Sequence, residues 1–316
     1  MDNAVVLFGA GKDAEKLIEK YADKAAAVID NNKEGFWNDM PVISLSNYKE
    51  KYSECEILIA SARYSKEIKE QLLENNILNF RVPDELFENK DVAHDEDISH
   101  DNWMKYLIEL CDKPGAEILE VGSRCVNVSL RENFKRAHYT GFDYYPGKNV
   151  DVVGDAHKLS QYFEGKKFDL IFSNAVFEHL AMPWIASLEM IKLLKQDGYI
   201  FIETHYSYSS HERPWHFFQF SENALNVLFP DVFGIKCLKK GCSNLIKGEF
   251  SSYSSDYLQG RIVPGLYCHS EFLGKKVREV PESISWNDIC LEDVVGSTQY
   301  PKPHNCLLYT SDAADE

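Results

Sequence analysis

The sequence predicts an α/β protein in which two doubly wound parallel sheets follow each other along 316 residues. Short apolar runs alternate with segments of helical periodicity over residues 4–87, and this alternation favours parallel strands joined by helices. A second series of the same kind begins at residue 102. Between the two series, residues 88–101 are acidic and lack periodic apolar residues, which is typical of a boundary between domains.

The first domain is predicted over residues 1–90 and is followed by an acidic linker, residues 91–101. Its strands are short apolar runs, and its helices repeat apolar residues every three or four positions. In chain order we expect a strand at Ala4–Phe8, a helix at Ala14–Tyr21, strands at Ala25–Ile29 and Ile57–Ala60, and a helix at Ser65–Asn75.

The second domain is predicted over residues 102–280, and residues 281–305 form a C-terminal extension. Helices are expected at Trp103–Cys111 and Pro183–Lys195 because apolar residues line one face of each. Seven apolar runs predict strands at Glu117–Val121, Tyr139–Phe142, Val150–Val153, Phe168–Ser173, Tyr199–Thr204, Ile235–Lys239 and Leu266–Phe272. Both domains are therefore expected to be Rossmann-like.

The composition narrows the function. With 44% hydrophobic and 27% charged residues the chain is expected to be globular, and no apolar run approaches the roughly 20 residues of a membrane helix. A net charge of −16 argues against nucleic-acid binding, which needs clustered Lys and Arg. The eight Cys form no C-x-x-C pair, and the N-terminus lacks the layout of a signal peptide. We expect a cytoplasmic protein that acts on a small molecule; homo-oligomer formation stays open.

The last eleven residues, 306–316, read CLLYTSDAADE. This string resembles the translation of a transposase-type sequencing adaptor, in which each codon reproduces the residue in order. We therefore expect residues 306–316 to carry no biological function and exclude them from the fold. The natural C-terminus is then left undefined beyond Asn305.

Several residues that suit a nucleoside come directly after predicted strands of the second domain, at the edge where parallel sheets bind ligands. Gly122 follows the first strand, where the missing Cβ lets a ligand approach the backbone. Asp143 follows the second strand, and a carboxylate there can accept both ribose hydroxyl protons. Asp155 and Ala156 follow the third strand, where a carboxylate and a backbone N–H can bind an adenine ring.

The fourth predicted strand leads through Asn174 to the tripeptide Glu178-His179-Leu180. Together with the stretch EVGSRCVNVSLR around Gly122, this series resembles the class I S-adenosylmethionine-dependent methyltransferases over roughly residues 100–275. The resemblance implies a seven-stranded sheet, S-adenosylmethionine as cofactor and methyl transfer as the activity. Genes with a similar stretch often lie near glycan and secondary-metabolite genes, which implies a sugar, nucleotide sugar or related precursor as the methyl acceptor.

The resemblance also implies roles for individual residues. Glu120, Gly122 and Ser123 would surround the methionine end of the donor, Asp143 would bind the ribose, Asp155 and Ala156 the adenine, and Ser173 and Asn174 would form the floor of the site. The sequence departs from the family where Arg124 and Val126 replace glycines, and where Cys125 and Val128 replace an Asp and a Gly of the related stretch. These departures leave a non-catalytic nucleotide-binding module as an alternative.

Two histidines are candidates for the catalytic base. His179 follows the fourth strand and His205 follows the fifth, so both are expected to face the cleft, and His is the usual base near neutral pH. A packing role is the alternative for each. We expect no metal site, because Glu178, His179 and His205 show no recognisable ligand spacing.

The segment 206–220, YSYSSHERPWHFFQF, is unusually aromatic for a loop. Its expected role is a lid or wall for the substrate, with His211, Trp215 and His216 as contacts and Glu178 as a further substrate residue.

The first domain carries Gly9-Ala10-Gly11 between a strand and a helix, and Asp30 ends the next strand. This pattern fits the dinucleotide fingerprint with its ribose-binding acid. Residues 5–61, with the stretches VVLFGAGKDAEKL, VIDNN, GFWNDMPVISLSNY and ILIAS, also resemble the N-terminal domain of sugar O-acyltransferases that modify nucleotide sugars. This resemblance implies a nucleotide-sugar ligand. Two alternatives stay open: an NAD-dependent oxidoreductase, for which half the usual sheet is missing, and a degenerate domain that only supports folding or dimerisation.

Overall fold

The computed structural model describes residues 4–126 and 129–294. The adaptor-like tail and the end of the C-terminal extension lie outside the described residues. The strands of the first sheet are β1 (Val5–Phe8), β2 (Ala25–Ile29), β3 (Phe36–Trp37), β4 (Met40–Ile43), β5 (Glu56–Ile59) and β6 (Phe80–Arg81), and the helices beside it are α1 (Lys12–Tyr21), α2 (Leu45–Lys51) and α3 (Ser65–Glu74).

The first sheet has the order β3-β4-β2-β1-β5-β6, and only the β3–β4 pair is antiparallel among the pairs described. Strand residues alternate between the two faces. Val5 and Leu7 pack with α1, whereas Val6 and Phe8 pack with α2 and α3. Strands β2 and β5 lie on opposite sides of β1, so the direction in which successive strands are added to the sheet reverses at β1. At the carboxyl end of the strands, such a reversal, called a switch point, forms a ligand cleft.

The second sheet follows α4 (Trp103–Cys111). Its strands are β7 (Glu117–Val121), β8 (His138–Asp143), β9 (Val152–Val153), β10 (Phe168–Asn174), β11 (Leu194–His205), β12 (Ile235–Leu245) and, after a small hairpin of β13 (Gly248–Glu249) and β14 (Ile262–Val263), β15 (Tyr267–Lys276); α5 (Pro183–Leu193) and α6 (Glu222–Leu228) lie between them.

The order of this sheet is β12-β15-β11-β10-β7-β8-β9. Strand β15 runs antiparallel to both of its neighbours, and the remaining pairs are parallel. The mixed α/β class and the seven strands of the class I methyltransferase sheet are thus confirmed. Its two faces are covered separately: α5 and α6 close one apolar core, and α4 closes the other with Trp103 and Leu107.

The helix Trp103–Cys111 and the strand Glu117–Val121 were predicted at their observed bounds. The largest difference is at β12, which was expected to end at Lys239 and continues to Leu245. The added residues are mostly polar, so they show no strand periodicity. They form a strand because β15 pairs with them along their length, as in the Cys242–Ser270 pair.

The acidic segment, residues 91–101, is packed against the second sheet rather than extended between the two sheets. Ile98 is fully buried, and the Cys242 N–H donates to the carbonyl of Ala93 at 2.8 Å. Asp95 and Asp97 both lie within 2.9 Å of the Lys239 ammonium. The acidic residues that suggested a linker therefore pair with a basic residue of β12.

The excursion between β12 and β15 contacts the first unit. The Ser65 hydroxyl at the start of α3 donates to the Gly260 carbonyl at 3.3 Å, and Lys69 pairs with Glu249 at 2.7 Å. The Gly265 N–H donates to the carbonyl of Phe87 at 2.7 Å.

Across the ranges 4–126 and 129–294, no helix has both the length and the apolar character needed to cross a membrane.

Candidate functional site

The turn after β7 requires glycine. Gly122 has a φ of +90°, and a Cβ at this position would lie 2.1 Å from Cγ2 of Val176. The N–H groups of Gly122 and Ser123 both donate to the carbonyl of Phe142 on β8, at 2.8 and 3.0 Å. The backbone is thus held in a fixed turn between the ends of β7 and β8.

Asp143 at the end of β8 is oriented by two backbone N–H groups. Its Oδ2 accepts from Arg124 at 3.0 Å, and its Oδ1 accepts from Tyr145 at 2.9 Å. The side chain is 14% exposed. Each carboxylate oxygen can still accept a second hydrogen bond, which is what two ribose hydroxyls require.

The bulky residues that replace glycines do not fill the turn. The Arg124 side chain lies beside Gly147, and its guanidinium stands 5.7 Å from the centre of the Tyr145 ring. Val126 is 76% exposed. The Arg124 Nε lies 3.8 Å from Asp143 Oδ1, so this side chain stands beside the carboxylate that is expected to bind the ribose. Val128 lies outside the described residues.

Asp155 follows β9 and begins the short helical segment Ala156–Tyr162. Its Oδ1 accepts from the His157 backbone at 3.0 Å and lies 2.6 Å from His157 Nδ1. Partial burial opposes ionisation, but these interactions outweigh it and lower the pKa of the carboxyl. Asp155 is therefore a partly exposed carboxylate beside the Ala156 backbone, as adenine binding would need.

Three other residues expected at the donor site support its frame with their side chains. The buried Ser173 hydroxyl donates to the Val121 carbonyl at 2.8 Å, which joins the ends of β10 and β7. The Ser123 hydroxyl donates to the Asn149 carbonyl at 3.3 Å. Glu120 is buried beside the Tyr139 hydroxyl, and burial raises its pKa to about 8.

S-adenosylmethionine fits the residues that remain. The three neighbouring strands β7, β8 and β9 end beside Gly122, at Asp143, and beside Asp155 and Ala156. This is the order in which the methionine end, the ribose and the adenine of the donor would lie. A Cβ would close the turn at Gly122, and both aspartates keep exposed surface. The chain thus offers an open backbone turn and two oriented carboxylates at one edge.

Asn174 connects this edge to a second group of residues. Its amide donates to Glu203 Oε1 at 2.5 Å, and the Ala175 N–H donates to the Glu203 carbonyl at 3.0 Å. Glu203 lies near the end of β11, which pairs with β10. The residue expected to form the floor of the donor site is therefore joined to the carboxyl end of β11.

We call His179, His205, His211 and His216, together with Glu178, the histidine cluster. The ring centres of His179 and His211 are 4.9 Å apart, and those of His205 and His211 are 5.2 Å apart. The ring of His216 lies 4.7 Å from that of His211. Burial and the neighbouring His211 and His179 lower the pKa of His216. Four histidines from three segments of the sequence thus meet at one place.

Glu178, which was expected to contact the substrate, has a carboxylate with no exposed surface. Its Oε2 accepts from the Thr204 hydroxyl at 2.5 Å, and its Oε1 lies 2.9 Å from His205 Nδ1 and 3.9 Å from His179 Nε2. Burial opposes ionisation, but His205 and Thr204 outweigh it, so the pKa of Glu178 is lowered. Glu178 is a buried anion beneath the histidines.

Backbone carbonyls fix the tautomers of two histidines. His179 Nδ1 lies 2.8 Å from the carbonyl of Trp215, and His211 Nδ1 lies 2.9 Å from the carbonyl of Ser209. A carbonyl only accepts, so each Nδ1 carries the proton and each Nε2 has a free lone pair. The Trp215 ring also stands 5.4 Å from Tyr144, the neighbour of Asp143, which brings the 206–220 loop beside the donor edge.

A second group, His100, Glu203 and His269, was missed by the sequence analysis. His100 Nδ1 lies 3.1 Å from Glu203, which raises the pKa of His100, and the rings of His100 and His269 stack at 4.0 Å. Burial, with help from His100, lowers the pKa of His269 to about 4. The available signal was Glu203, a charged residue within the apolar strand YIFIETH.

The expectation of no metal site rested on spacing along the chain. Folding brings Glu178, His205 and His211 together, so that one ligand atom from each lies within 4.8 Å of the others. The reason given for excluding a metal therefore does not hold.

The first unit has its own cleft, of about 480 Å³, at the carboxyl ends of β1, β2 and β5. Gly9 has a φ of +116°, and Gly11 precedes α1 in open space. Asp30 accepts from the Ala10 N–H at 3.0 Å, and Lys33 donates to the Ala10 carbonyl. The structure thus brings Gly9, Gly11 and Asp30 together, far along the chain from the histidine cluster.

Comparison with known proteins found one family model and several solved structures that are similar to part of this chain. Residues 95–232 match the family model described as "Methyltransferase domain". No curated protein matches the sequence. Solved structures that align include a complex of the Haloferax volcanii Trm112 methyltransferase activator with a methyltransferase (16% identity, 56% of this chain and 90% of that chain, TM-score 0.40), the Bacillus subtilis YcgJ protein (16%, 55% and 98%, 0.39) and an Archaeoglobus fulgidus SAM-dependent methyltransferase (17%, 55% and 92%, 0.39).

The family match covers less than half of the chain and lies mainly in the second unit. The comparisons give no support to the oxidoreductase alternative. The matched segment holds the turn at Gly122, Asp143, Asp155 and the histidine cluster. Residues 95–232 are therefore similar to a methyltransferase domain, and their site has residues that suit S-adenosylmethionine as the methyl donor.

Proposed function

We propose that the enzyme methylates a hydroxyl of a small polar acceptor: a sugar, a nucleotide sugar or another precursor of glycans or secondary metabolites. The observation that supports this proposal is the histidine cluster, whose member His205 ends β11 two residues after Glu203, the hydrogen-bond partner of Asn174. A hydroxyl is a weak nucleophile, and it gains from a base that removes its proton during transfer.

The donor site is proposed at Gly122, Asp143, Asp155 and Ala156, with Asn174 as its floor. When bound, S-adenosylmethionine supplies a methyl group activated by its sulfonium. The protein's part is to orient the two reactants, because an in-line displacement depends mainly on their positions.

His179 is the base that the geometry favours. Its side chain is 21% exposed, and its Nε2 lone pair faces the cluster. His205 is the alternative base, but its Nδ1 is turned toward the buried Glu178. We propose His211, Trp215 and His216 as the wall that holds the acceptor, because their loop lies beside Tyr144 at the donor edge.

The test combines donor binding with acceptor profiling. Calorimetry with S-adenosylmethionine and with NAD should give saturable binding of the first at the second unit. The chain should then form S-adenosylhomocysteine when it is supplied with hydroxyl-bearing sugars or nucleotide sugars, as followed by mass spectrometry. Donor binding with turnover only on amines or proteins would contradict the proposed acceptor class.

For the first unit, we propose a nucleotide or nucleotide-sugar ligand in the 480 Å³ cleft. Its support is the glycine turn at Gly9, the carboxylate of Asp30, and Lys12 and Lys33 on the lining. Binding of uridine diphosphate sugars that is lost in Asp30→Ala, with donor binding unchanged, is the expected result. The same binding in both proteins would contradict this assignment.

A further inference from the structure

We infer that the histidine cluster binds a divalent transition-metal ion through Glu178, His205 and His211. Two imidazoles and one carboxylate form a donor set that holds Zn²⁺ or Fe²⁺ in other proteins while leaving positions open for a substrate. One ligand atom from each residue lies within 4.8 Å of the others. Bonds of about 2.0–2.2 Å place ligand atoms about 3.0–3.5 Å apart, so small side-chain movements complete the site.

The innermost pair of atoms supports this inference. Glu178 Oε1 and His205 Nδ1 lie 2.9 Å apart, yet no hydrogen bond of acceptable angle joins them. Both atoms are buried, and neither has another partner within residues 4–126 and 129–294. Buried polar atoms without partners are costly, because they lose their bonds to water. A cation beside both atoms removes this cost.

The surrounding bonds are those that metal ligands usually have. The Thr204 hydroxyl occupies Glu178 Oε2, which leaves Oε1 free, and the Ser209 carbonyl occupies His211 Nδ1, which leaves Nε2 free. Such partners fix the tautomer of a ligating histidine and orient a ligating carboxylate. The His205 ring is held by Tyr208, on which it stacks at 4.6 Å.

The role of the ion rests on the proposed function, but its binding does not. An acceptor hydroxyl bound to the cation would be more acidic. His179 Nε2 would take its proton while the oxygen forms a bond to the methyl carbon. The C–S bond breaks, its electrons return to sulfur, and neutral S-adenosylhomocysteine leaves. His205 is then a ligand, and His179 is left as the base.

Metal binding is tested on the full chain without a histidine tag, after treatment with a chelator. Titration with Co²⁺, followed by its visible absorption, and with Zn²⁺, followed by calorimetry, should each give one site per chain. Because Glu178 is buried, the informative variants are His211→Ala, in a partly exposed loop, and Glu178→Gln. Each should weaken the affinity at least tenfold. The control, His138→Ala, removes an exposed histidine at the other end of β8 and should bind normally.

Other results would overturn the inference. One is the absence of saturable binding. Another is binding that survives His211→Ala and Glu178→Gln but is lost in His100→Ala, which would place the ion in the neighbouring His100–Glu203–His269 group. Donor binding is measured on the same metal-free samples. If the donor binds and the acceptor is methylated without metal, the inferred role fails while the proposed function stands.

Discussion

The two units of this chain build the same ligand frame. Gly9 and Gly122 both have positive φ after the first strand of their sheets. Asp30 Oδ2 accepts from Ala10 at 3.0 Å, and Asp143 Oδ2 accepts from Arg124 at 3.0 Å. In both units the other carboxylate oxygen accepts from the residue two positions later, at 2.9 Å.

The two units differ on the other side of the switch point, in the residues at and after the ends of β5 and β10. In the first unit, β5 is followed by Ala60 and Ser61, which line an open cleft. In the second, β10 ends with Asn174 and is followed, shortly after, by Glu178 and His179. The glycine turn and the carboxylate are therefore common to both units, and we propose them as the frame that binds a nucleoside in each. The groups suited to the methylation chemistry lie on the other side of the switch point, where the two units no longer agree.

The largest expected effect is a loss of turnover, and it tests the difference between the two units described above. Replacing His179 by Ala should lower turnover about 10²–10⁴-fold, because the acceptor loses its base, while the donor dissociation constant stays within about twofold. Ser61→Ala, a change shortly after β5 in the first unit, is the control and should leave both quantities unchanged. Steady-state assays and calorimetry measure them. Full turnover in His179→Ala would transfer the role to His205, which is to be replaced in parallel.

The second effect tests whether Asp30 and Asp143, which accept equivalent backbone hydrogen bonds, bind different ligands. Asp143→Ala should weaken donor binding about 10- to 150-fold, because hydrogen bonds to a charged group contribute about 1.5–3 kcal/mol. Asp30→Ala should leave donor binding unchanged. Calorimetry on both variants, with melting curves to check folding, decides between them. Equal losses in the two variants would mean that the donor site is not where we propose it.

The smallest effect concerns the glycines themselves. Gly122→Ser should cost about 1–3 kcal/mol of stability, because φ is positive and the new Cβ would meet Val176 at 2.1 Å. Gly11→Ser should change stability by less than about 0.5 kcal/mol, since its site is open and Ser is a good N-cap. Urea unfolding compares them. A similar cost for both would show that the turn at Gly122 is not strained.

Elements with local signals were predicted well from the sequence. Trp103–Cys111 and Glu117–Val121 were found at their predicted bounds because apolar periodicity marks them. The second half of β12 and the docking of residues 91–101 were not predicted. Both depend on partners that are distant in sequence, namely β15 and Lys239. Polar segments of this kind take their structure from what they contact.

The same division applies to the site. Gly122, Asp143 and Asp155 lie at or within two residues of the ends of strands, so their places at one edge could be predicted from strand order. The inward turn of Ser173 and the burial of Glu178 could not, because they depend on packing between strands. His100 lies before β7 and His269 lies on β15, far apart in the sequence, and the two residues meet only after folding.

The acidic segment also decides where the chain can be divided. A fragment that begins at residue 102 would keep every strand of the second sheet, yet it would uncover the pocket of Ile98 and remove the anions beside Lys239. It would also leave Glu203 without the imidazole of His100, next to the floor of the donor site. A separately expressed catalytic half should therefore start before Asp91, so that these residues remain part of the enzyme.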